Sequence, residues 1–365
     1  MAVNNRLYVD FHILQTVPPS CVNRDDTGSP KTAVYGGTVR ARVSSQAWKR
    51  AMRLMFRELF DESALGKRTK RVLQMVSDAI RTQDAAIAEK DAEKMAAEAL
   101  KKAGIKINKD KMSDVLFFMS EKQAETLAAL AIAGESEDKA YQAAVFDAPS
   151  IDIALFGRMV ASDPSLNYDA AAQVAHSIST HAVQTEFDYF TAVDDLSPED
   201  TSGAGHLGTV EYNAATLYRY ATVNVQELKR TLGEQAADAV RGFAEALICS
   251  MPTGKQNTFA NRTLPDAVYV TVRRDQPVNL SGAFEKAVPA SAEGYVARSA
   301  AQLCDYAEQM YQTFAAPPAE AFAVGALFGS LAQTGSLPQM LDWLDGILRR
   351  EAADEIGRAA DGGQA

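Results

Sequence analysis

Between Cys21 and Arg57 the chain reads CVNRDDTGSPKTAVYGGTVRARVSSQAWKRAMRLMFR, a stretch whose side chains suit the holding of a polyanion. Eight of its residues are basic: Arg24, Lys31, Arg40, Arg42, Lys49, Arg50, Arg53 and Arg57. Only Asp25 and Asp26 oppose them. Residues 1–57 carry nine Lys/Arg against three Asp/Glu, a net +6, in a protein of formal net charge −10, so the remainder nets −16. An acidic protein that gathers its positive charge on one segment has one surface meant for an anionic partner, the electrostatic footprint of nucleic-acid binding.

Other reactive residue types are present without the spacing that would make them work. Asp25 and Asp26 could hold a metal for phosphodiester cleavage, but such a site needs further acidic or His ligands and a placed water. Adjacent residues point apart, and Asn23–Gly28 reads as a turn that these aspartates cap. His176 and His181 are five apart, which fits neither helical zinc spacing nor one face of a strand. Gly203-Ala204-Gly205-His206-Leu207-Gly208 matches GxGxxG. It follows SPEDTS and precedes the strand-like TVEYNAATLYRY, where a dinucleotide fingerprint needs strand then helix. A hairpin tip is the better reading. Gly254-Lys255 lacks the upstream glycine of a phosphate loop. The residues therefore predict no catalytic centre, no metal and no cofactor.

The elements that carry the basic residues follow from pattern. Arg6–Leu14 alternates as a strand and a Pro/Asn/Asp/Gly loop spans 17–30. Val39–Val43 is a short strand with Arg40 and Arg42 on one face. Ser44 and Ser45 are cap candidates for a helix from Gln46. Trp48, Met52, Met55 and Leu59 share its apolar side. Lys49, Arg53 and Arg57 recur at i, i+4 and i+8 with Arg50 beside them, and no carboxylate is spaced to neutralise them before Glu58. The helix N-terminus also offers free N–H groups to a phosphate.

Residues 58–144 turn rich in Ala, Lys, Glu and Leu, with helical runs at 72–80, 95–100 and 115–132, the mark of a helical insertion. Further on, Ile151–Met159 reads as a strand, and 170–181 fits helix or strand. Strand is expected at 216–225, 267–272 and 322–331, and helix at 235–250, 296–314 and 337–350. Strands mixed with helices and large insertions indicate α+β. Charge of 23% and hydrophobic content of 47% are those of a soluble globular protein. The three separated cysteines suit a reducing compartment. The opening MAVNNRLYVDFHIL lacks the order of a signal peptide, and a cytoplasmic location with no membrane partner is expected.

The run SCVNRDDTGSPKTAVYGGTVRARVSSQAWKRAMR closely resembles the N-terminal signature of the CasC (Cse-type) backbone family, the repeated subunits of the type I-E CRISPR surveillance complex, Cascade. DIALFGRM at 152–159, AAQVAHSISTH at 171–181, DYFTAVDDL at 188–196, GAGHLGTVEYN and YRYATVNV within 203–225, PTGKQNTFANRTLPD at 252–266 and AFEKAV at 283–288 agree in order.

The resemblance implies an α+β, hand-shaped fold: a palm like an RNA-recognition (ferredoxin-like) domain, helical fingers and a β-hairpin thumb. Here the palm would comprise 1–57, 145–189 and 213–365 with its C-terminal helices, the fingers 58–144 and the thumb 190–212. It decides for strand at 170–181. Copies of such subunits stack head to tail along CRISPR RNA, beside the large subunit, the small subunit, CasD and CasE, and present the guide to target DNA. Matching positions make Arg24, Lys31, Lys49 and Arg53 contacts to the RNA backbone, joined by Arg40 and Arg42 of the basic strand. Met159 would pack at a kinked nucleotide. Phe190, Thr191 and Leu207 would press on the guide–target duplex of a neighbour. A carrier of arbitrary guides must grip phosphate and shape and leave sequence to base pairing. At 133–149, AGESEDKAYQAAVFDAP carries one lysine among acids, so these fingers are expected to add little to DNA binding. Type I backbone subunits leave cutting to another protein. Related type III subunits cut RNA with an acidic loop residue, which is the basis of an alternative expectation, a metal-dependent ribonuclease centred on Asp25/Asp26.

Overall fold

The computed structural model describes residues 6–160, 163–192 and 207–362. Among these the strands are β1 Tyr8–Ser20, β2 Thr32–Tyr35, β3 Thr38–Val43, β4 Lys67–Thr69, β5 Phe117–Met119, β6 Ala172–Val174, β7 Ser177–Ser179, β8 Glu186–Thr191, β9 Leu207–Asn224, β10 Ala267–Arg273, β11 Glu320–Val324 and β12 Gln333–Gly335. The helices are α1 Ser45–Leu59, α2 Val72–Gln83, α3 Glu89–Lys102, α4 Glu121–Ile132, α5 Asp138–Ala144, α6 Ile151–Phe156, α7 Val225–Leu232, α8 Ala236–Cys249, α9 Gln256–Phe259, α10 Val296–Thr313 and α11 Leu337–Gly362. The fold is mixed α+β. No helix among the described residues is long and apolar enough to cross a membrane.

Two units divide the chain. The first comprises Met1–Met52, Val174–Thr222 and Ala244–Trp343. Its large mixed sheet runs β12-β11-β10-β1-β9-β7-β3-β2, with β6 and β8 also paired to β9. β10 lies antiparallel between β1 and β11, while β12 joins β11 in parallel. β1 is buried on both faces from Val9 to Leu14 and β10 throughout, which places them at the sheet's centre. One face sets Leu14, Tyr218 and Tyr269 against Ala300, Leu303 and Ala307 of α10. Polar groups sit beside this core. His12 Nδ1 meets the Tyr218 hydroxyl at 2.8 Å, and the Tyr220 hydroxyl donates to Asp10 at 3.1 Å. Burial pushes the Asp10 carboxyl up to about 6 and the His12 imidazole down to about 3. A second cluster joins Val17, Ala41, Val43, Trp48, Leu217 and Met251.

β2 and β3 form a hairpin with Val34 opposite Val39. Its turn uses Gly36 at φ +58° and Gly37 at φ +76°, the left-handed pair of a two-residue hairpin. A Cβ on Gly36 would stand 1.6 Å from the Glu285 carbonyl oxygen, so the close approach needs glycine as well. The first turns of α1 are anchored by Trp48, whose indole N–H donates to Ser177 Oγ at 3.0 Å. The Arg219 guanidinium lies 3.7 Å from the ring centroid of Trp48 and bonds the Gln15 side chain and the Leu247 carbonyl.

The second unit comprises Arg53–Gln173, Val223–Phe243 and Leu344–Ala365. α2, α3, α4 and α5 surround a core of Val76, Ile80, Ala96, Leu100, Leu127 and Tyr141. These four helices lie within residues 58–144, where the sequence pattern is helical, but their boundaries differ from that pattern. The run expected as a helix over 115–132 divides into β5, paired with β4, and α4. Ser120 is the cause: it accepts from Gln123 N while the Gln123 side chain accepts from Ser120 N, a capping box that starts a helix there. The strand expected over 151–159 is also corrected. Ile151–Phe156 is the helix α6, stopped by Gly157 at φ +72°. A short apolar run fits a buried helix as well as a strand, and pattern cannot separate them. The stretch 170–181 carries β6 and β7, as expected from the resemblance.

Candidate nucleic-acid interface

The loop before β2 is closed by its own polar groups. Asp25 Oδ1 accepts from Thr27 N at 2.9 Å, from Thr27 Oγ1 at 2.7 Å and from Ser29 N at 3.0 Å. The Thr27 hydroxyl and the loop's N–H groups hold this carboxyl below its usual range. Asn23 Oδ1 accepts from Ser44 N at 2.9 Å, and Ser44 Oγ caps Ala47 N at 3.3 Å. The loop is thereby tied to the N-terminus of α1. Asp25 is engaged as a turn former, Asp26 is exposed, and no group of three His, Cys, Asp or Glu able to hold a metal occurs among the described residues.

The same ties gather positive charge. Arg24 stands exposed on the loop. Arg42 N donates to the Lys31 carbonyl at 2.9 Å, and its guanidinium reaches Thr32 O at 3.1 Å and His176 Nδ1 at 3.3 Å. Ser45 N lies 3.3 Å from the same nitrogen. Burial first, then the charges of Arg42 and Lys31, push His176 below its ordinary value. Arg42 and Lys31 therefore meet at the first turn of α1. Lys255 joins the loop's surroundings, since it and Arg24 both act on the Cys21 thiol. A Cβ on Gly254 would stand only 2.0 Å from Val22 O, so the two loops touch. Lys255 has no phosphate-loop spacing to mark it in the sequence, and only the fold brings it to residues 21–24. Among the described residues no carboxylate pairs with Arg24, Lys31 or Arg42.

Arg40 behaves differently from its neighbour. It is 0% exposed. Its Nε donates to Thr38 Oγ1 at 2.8 Å, Nη1 to Ser179 O at 2.9 Å, and Nη2 to Phe284 O at 2.9 Å and Glu285 O at 3.3 Å. The structure places this guanidinium inside the first unit, stitching carbonyls together, and not on the surface where Arg42 lies. Lys49 is half-buried, and burial lowers its ammonium pKa, while Arg50 is exposed. His181 is a structural residue: its ring stacks on Tyr295 at 3.6 Å and its Nε2 accepts from Thr216 N at 3.1 Å.

In the second unit Arg53 is neutralised from a distance in sequence. Its Nε donates to Asp152 Oδ2 at 3.0 Å, and its guanidinium lies 4.4 Å from the Phe118 ring centroid. Asp152 is 2% exposed and also accepts from Gly66 N and Ser150 Oγ, each at 2.8 Å. The helix alone shows no such partner. Met159 is 81% exposed, an apolar side chain held out into solvent.

The hairpin of β8 and the start of β9 pairs Glu186 with Tyr212 through to Thr191 with Leu207. All of β8 is exposed, including the rings of Phe187, Tyr189 and Phe190. Phe190 lies opposite Gly208, with its ring where a Cβ there would stand. Thr191 is the last paired residue of its arm. The backbone of Leu207 is described and its side chain is not. Of the thumb expected over 190–212, residues 193–206 lie outside the described residues.

A solved chain titled "CRISPR RNA-guided surveillance complex, pre-nicking" is 33% identical, with a TM-score of 0.78 over 93% of this chain and 100% of that one. A second, titled "CRISPR RNA-guided surveillance complex", is 30% identical, with a TM-score of 0.62 over 93% of this chain and 99% of that one. No curated protein matches. The fold is that of a subunit of CRISPR surveillance complexes. A family model described as CT1975-like protein matches residues 9–342, and the chain belongs to that family.

Proposed function

We propose that the chain is the non-catalytic backbone subunit of a type I-E surveillance complex, Cascade, in the cytoplasm. Copies stack head to tail along CRISPR RNA and present it for pairing with target DNA in antiviral defence, together with the large and small subunits, CasD and CasE. Arg24, Lys31 and Arg42, with Lys49 and Arg53, hold the RNA backbone, and Met159 packs at a displaced nucleotide. The exposed arm at 186–191 and its partner arm at 207–212 form the base of a thumb that presses on a neighbour's duplex. The strand order β10-β1-β9-β7, with α1 between the first and second strands of that set in chain order and α8 between the third and fourth, suits an RNA-recognition palm. The observation that carries the proposal is the placing of Arg42 and Lys31 side by side through the Arg42 N–Lys31 O bond, with no carboxylate partner among the described residues, in a chain of net charge −10. Grip on phosphate without reading bases is what an arbitrary guide requires. The test is the ratio of absorbance at 260 and 280 nm of the purified complex, followed by extraction and sequencing of its nucleic acid. Guide RNA of uniform length supports the reading, and a nucleic-acid-free assembly of full size overturns it.

A further inference from the structure

We propose that Arg158, which no motif reading assigns a part, is a positioning residue that holds Met159 in its exposed place. This rests on the reading of Met159 as the residue packed at a displaced nucleotide. Arg158 is 4% exposed and Val160 is 3% exposed, yet Met159 between them is 81% exposed. An apolar side chain left in water between two buried neighbours needs its backbone pinned on both sides. On one side, Arg158 N donates to Tyr168 O at 3.0 Å, and Tyr168 N returns a bond to Arg158 O at 2.7 Å. On the other, Val160 N donates to Asn167 Oδ1 at 2.7 Å. Gly157 begins the turn, and a Cβ there would stand 2.6 Å from Tyr168 O.

The guanidinium then welds this turn to two other segments. Nε donates to Leu166 O at 2.9 Å, Nη1 to Phe118 O at 3.2 Å, and Nη2 to Val145 O at 2.9 Å. Its carbon lies 4.6 Å from the Phe117 ring centroid and 5.5 Å from that of Phe146. No carboxylate neutralises it among the described residues. A planar fork serving three carbonyls is a geometry that lysine, with one nitrogen, cannot reproduce. Burying an unpaired charge to fix a turn is costly. It makes sense where the turn carries a side chain that must not swing.

The test uses complexes assembled on a guide carrying one 2-aminopurine, placed in turn at successive positions. Displaced bases lose stacking and fluoresce more. Met159→Ala is expected to lower the bright positions several-fold. Arg158→Lys is expected to lower the same positions, to leave the dim ones unchanged, and to add nothing further in the Met159→Ala background. Should Arg158→Lys fail to fold, Phe146→Leu, which removes one ring beneath the guanidinium, carries the same comparison. A wild-type pattern in a folded Arg158→Lys complex overturns the inference, as does an equal loss at every position or full additivity with Met159→Ala. No change in Met159→Ala itself overturns the assignment of Met159 and removes the ground of the inference with it.

Discussion

Arg40 and Arg42 sit two residues apart on one strand and should fail in different ways when altered. Arg42 joins Lys31 beside the first turn of α1, and Arg24 lies exposed on the loop tied to it. If each holds one phosphate, the triple change Arg24→Ala, Lys31→Ala, Arg42→Ala releases about three fewer counterions on binding. Each contact to a single strand contributes about 0.7 to the slope of log affinity against log salt, so the slope should become shallower by about 2. Between 50 and 200 mM salt, wild-type protein should then lose about 20-fold more affinity than the variant. Arg40→Lys should leave that slope unchanged. It strands carbonyl acceptors of Ser179, Phe284 and Glu285 in the interior, at about 1–3 kcal/mol each, so a loss of about 3 kcal/mol in stability is expected. The assay is fluorescence anisotropy of labelled guide RNA over a KCl series, with thermal unfolding of the same preparations. An unchanged slope in a folded triple variant refutes the assignment of these three residues. A slope reduced by about 0.7 in Arg40→Lys at wild-type stability refutes the buried, structural reading of Arg40.

Asp152→Asn should lower the stability of the second unit by about 3 kcal/mol, the low end for breaking a buried pair because Arg53 is partly exposed. A double-mutant cycle with Arg53→Met should show a coupling of about 1.5–3 kcal/mol between the two, and additive losses would refute the pairing. Asp10 and His12 of the first unit make stability respond to pH in opposite directions. A carboxyl raised to about 6 keeps its proton longer in the folded state, so it stabilises as pH falls through 6. An imidazole lowered to about 3 must take up its proton on unfolding, so it destabilises as pH falls below its ordinary value near 6.5. Wild-type protein should therefore gain on Asp10→Asn by up to about 1.4 kcal/mol per pH unit between pH 6 and 4 in urea titrations, and a constant difference would refute it. Purified protein with magnesium or manganese should leave guide and target uncut, while cleavage abolished by Asp25→Ala or Asp26→Ala would establish a nuclease. Replacing residues 193–206 by a short turn should spare thermal stability, because the arms at 186–191 and 207–212 keep their register, yet shorten assemblies on the guide as weighed by mass photometry.

What local pattern could decide, the sequence determined by itself. Period-2 alternation placed β1 and β3, period-3.6 spacing placed α1 and α2, and the cluster of basic residues in an acidic chain pointed to a polyanion. These are properties of neighbours along the chain, and helix and strand repeat on that scale. Motifs agreeing in order carried the resemblance to a CRISPR backbone family, of which the comparisons bear out the coarser part, likeness to chains of surveillance complexes. The division of the 115–132 run was also legible in principle, because Ser120 and Gln123 spell a capping box. Tertiary structure alone decided which charges are available. Arg40 and Arg42 look equivalent on one strand face, but the carbonyls that bury Arg40 come from residues 179, 284 and 285. Arg53 looks unopposed along its helix, and its carboxylate is Asp152. Lys255 is 231 positions from Arg24 in the chain, and both act on one thiol. Solvation and pairing depend on what lies within a few ångströms, and for these side chains those atoms come from distant parts of the chain.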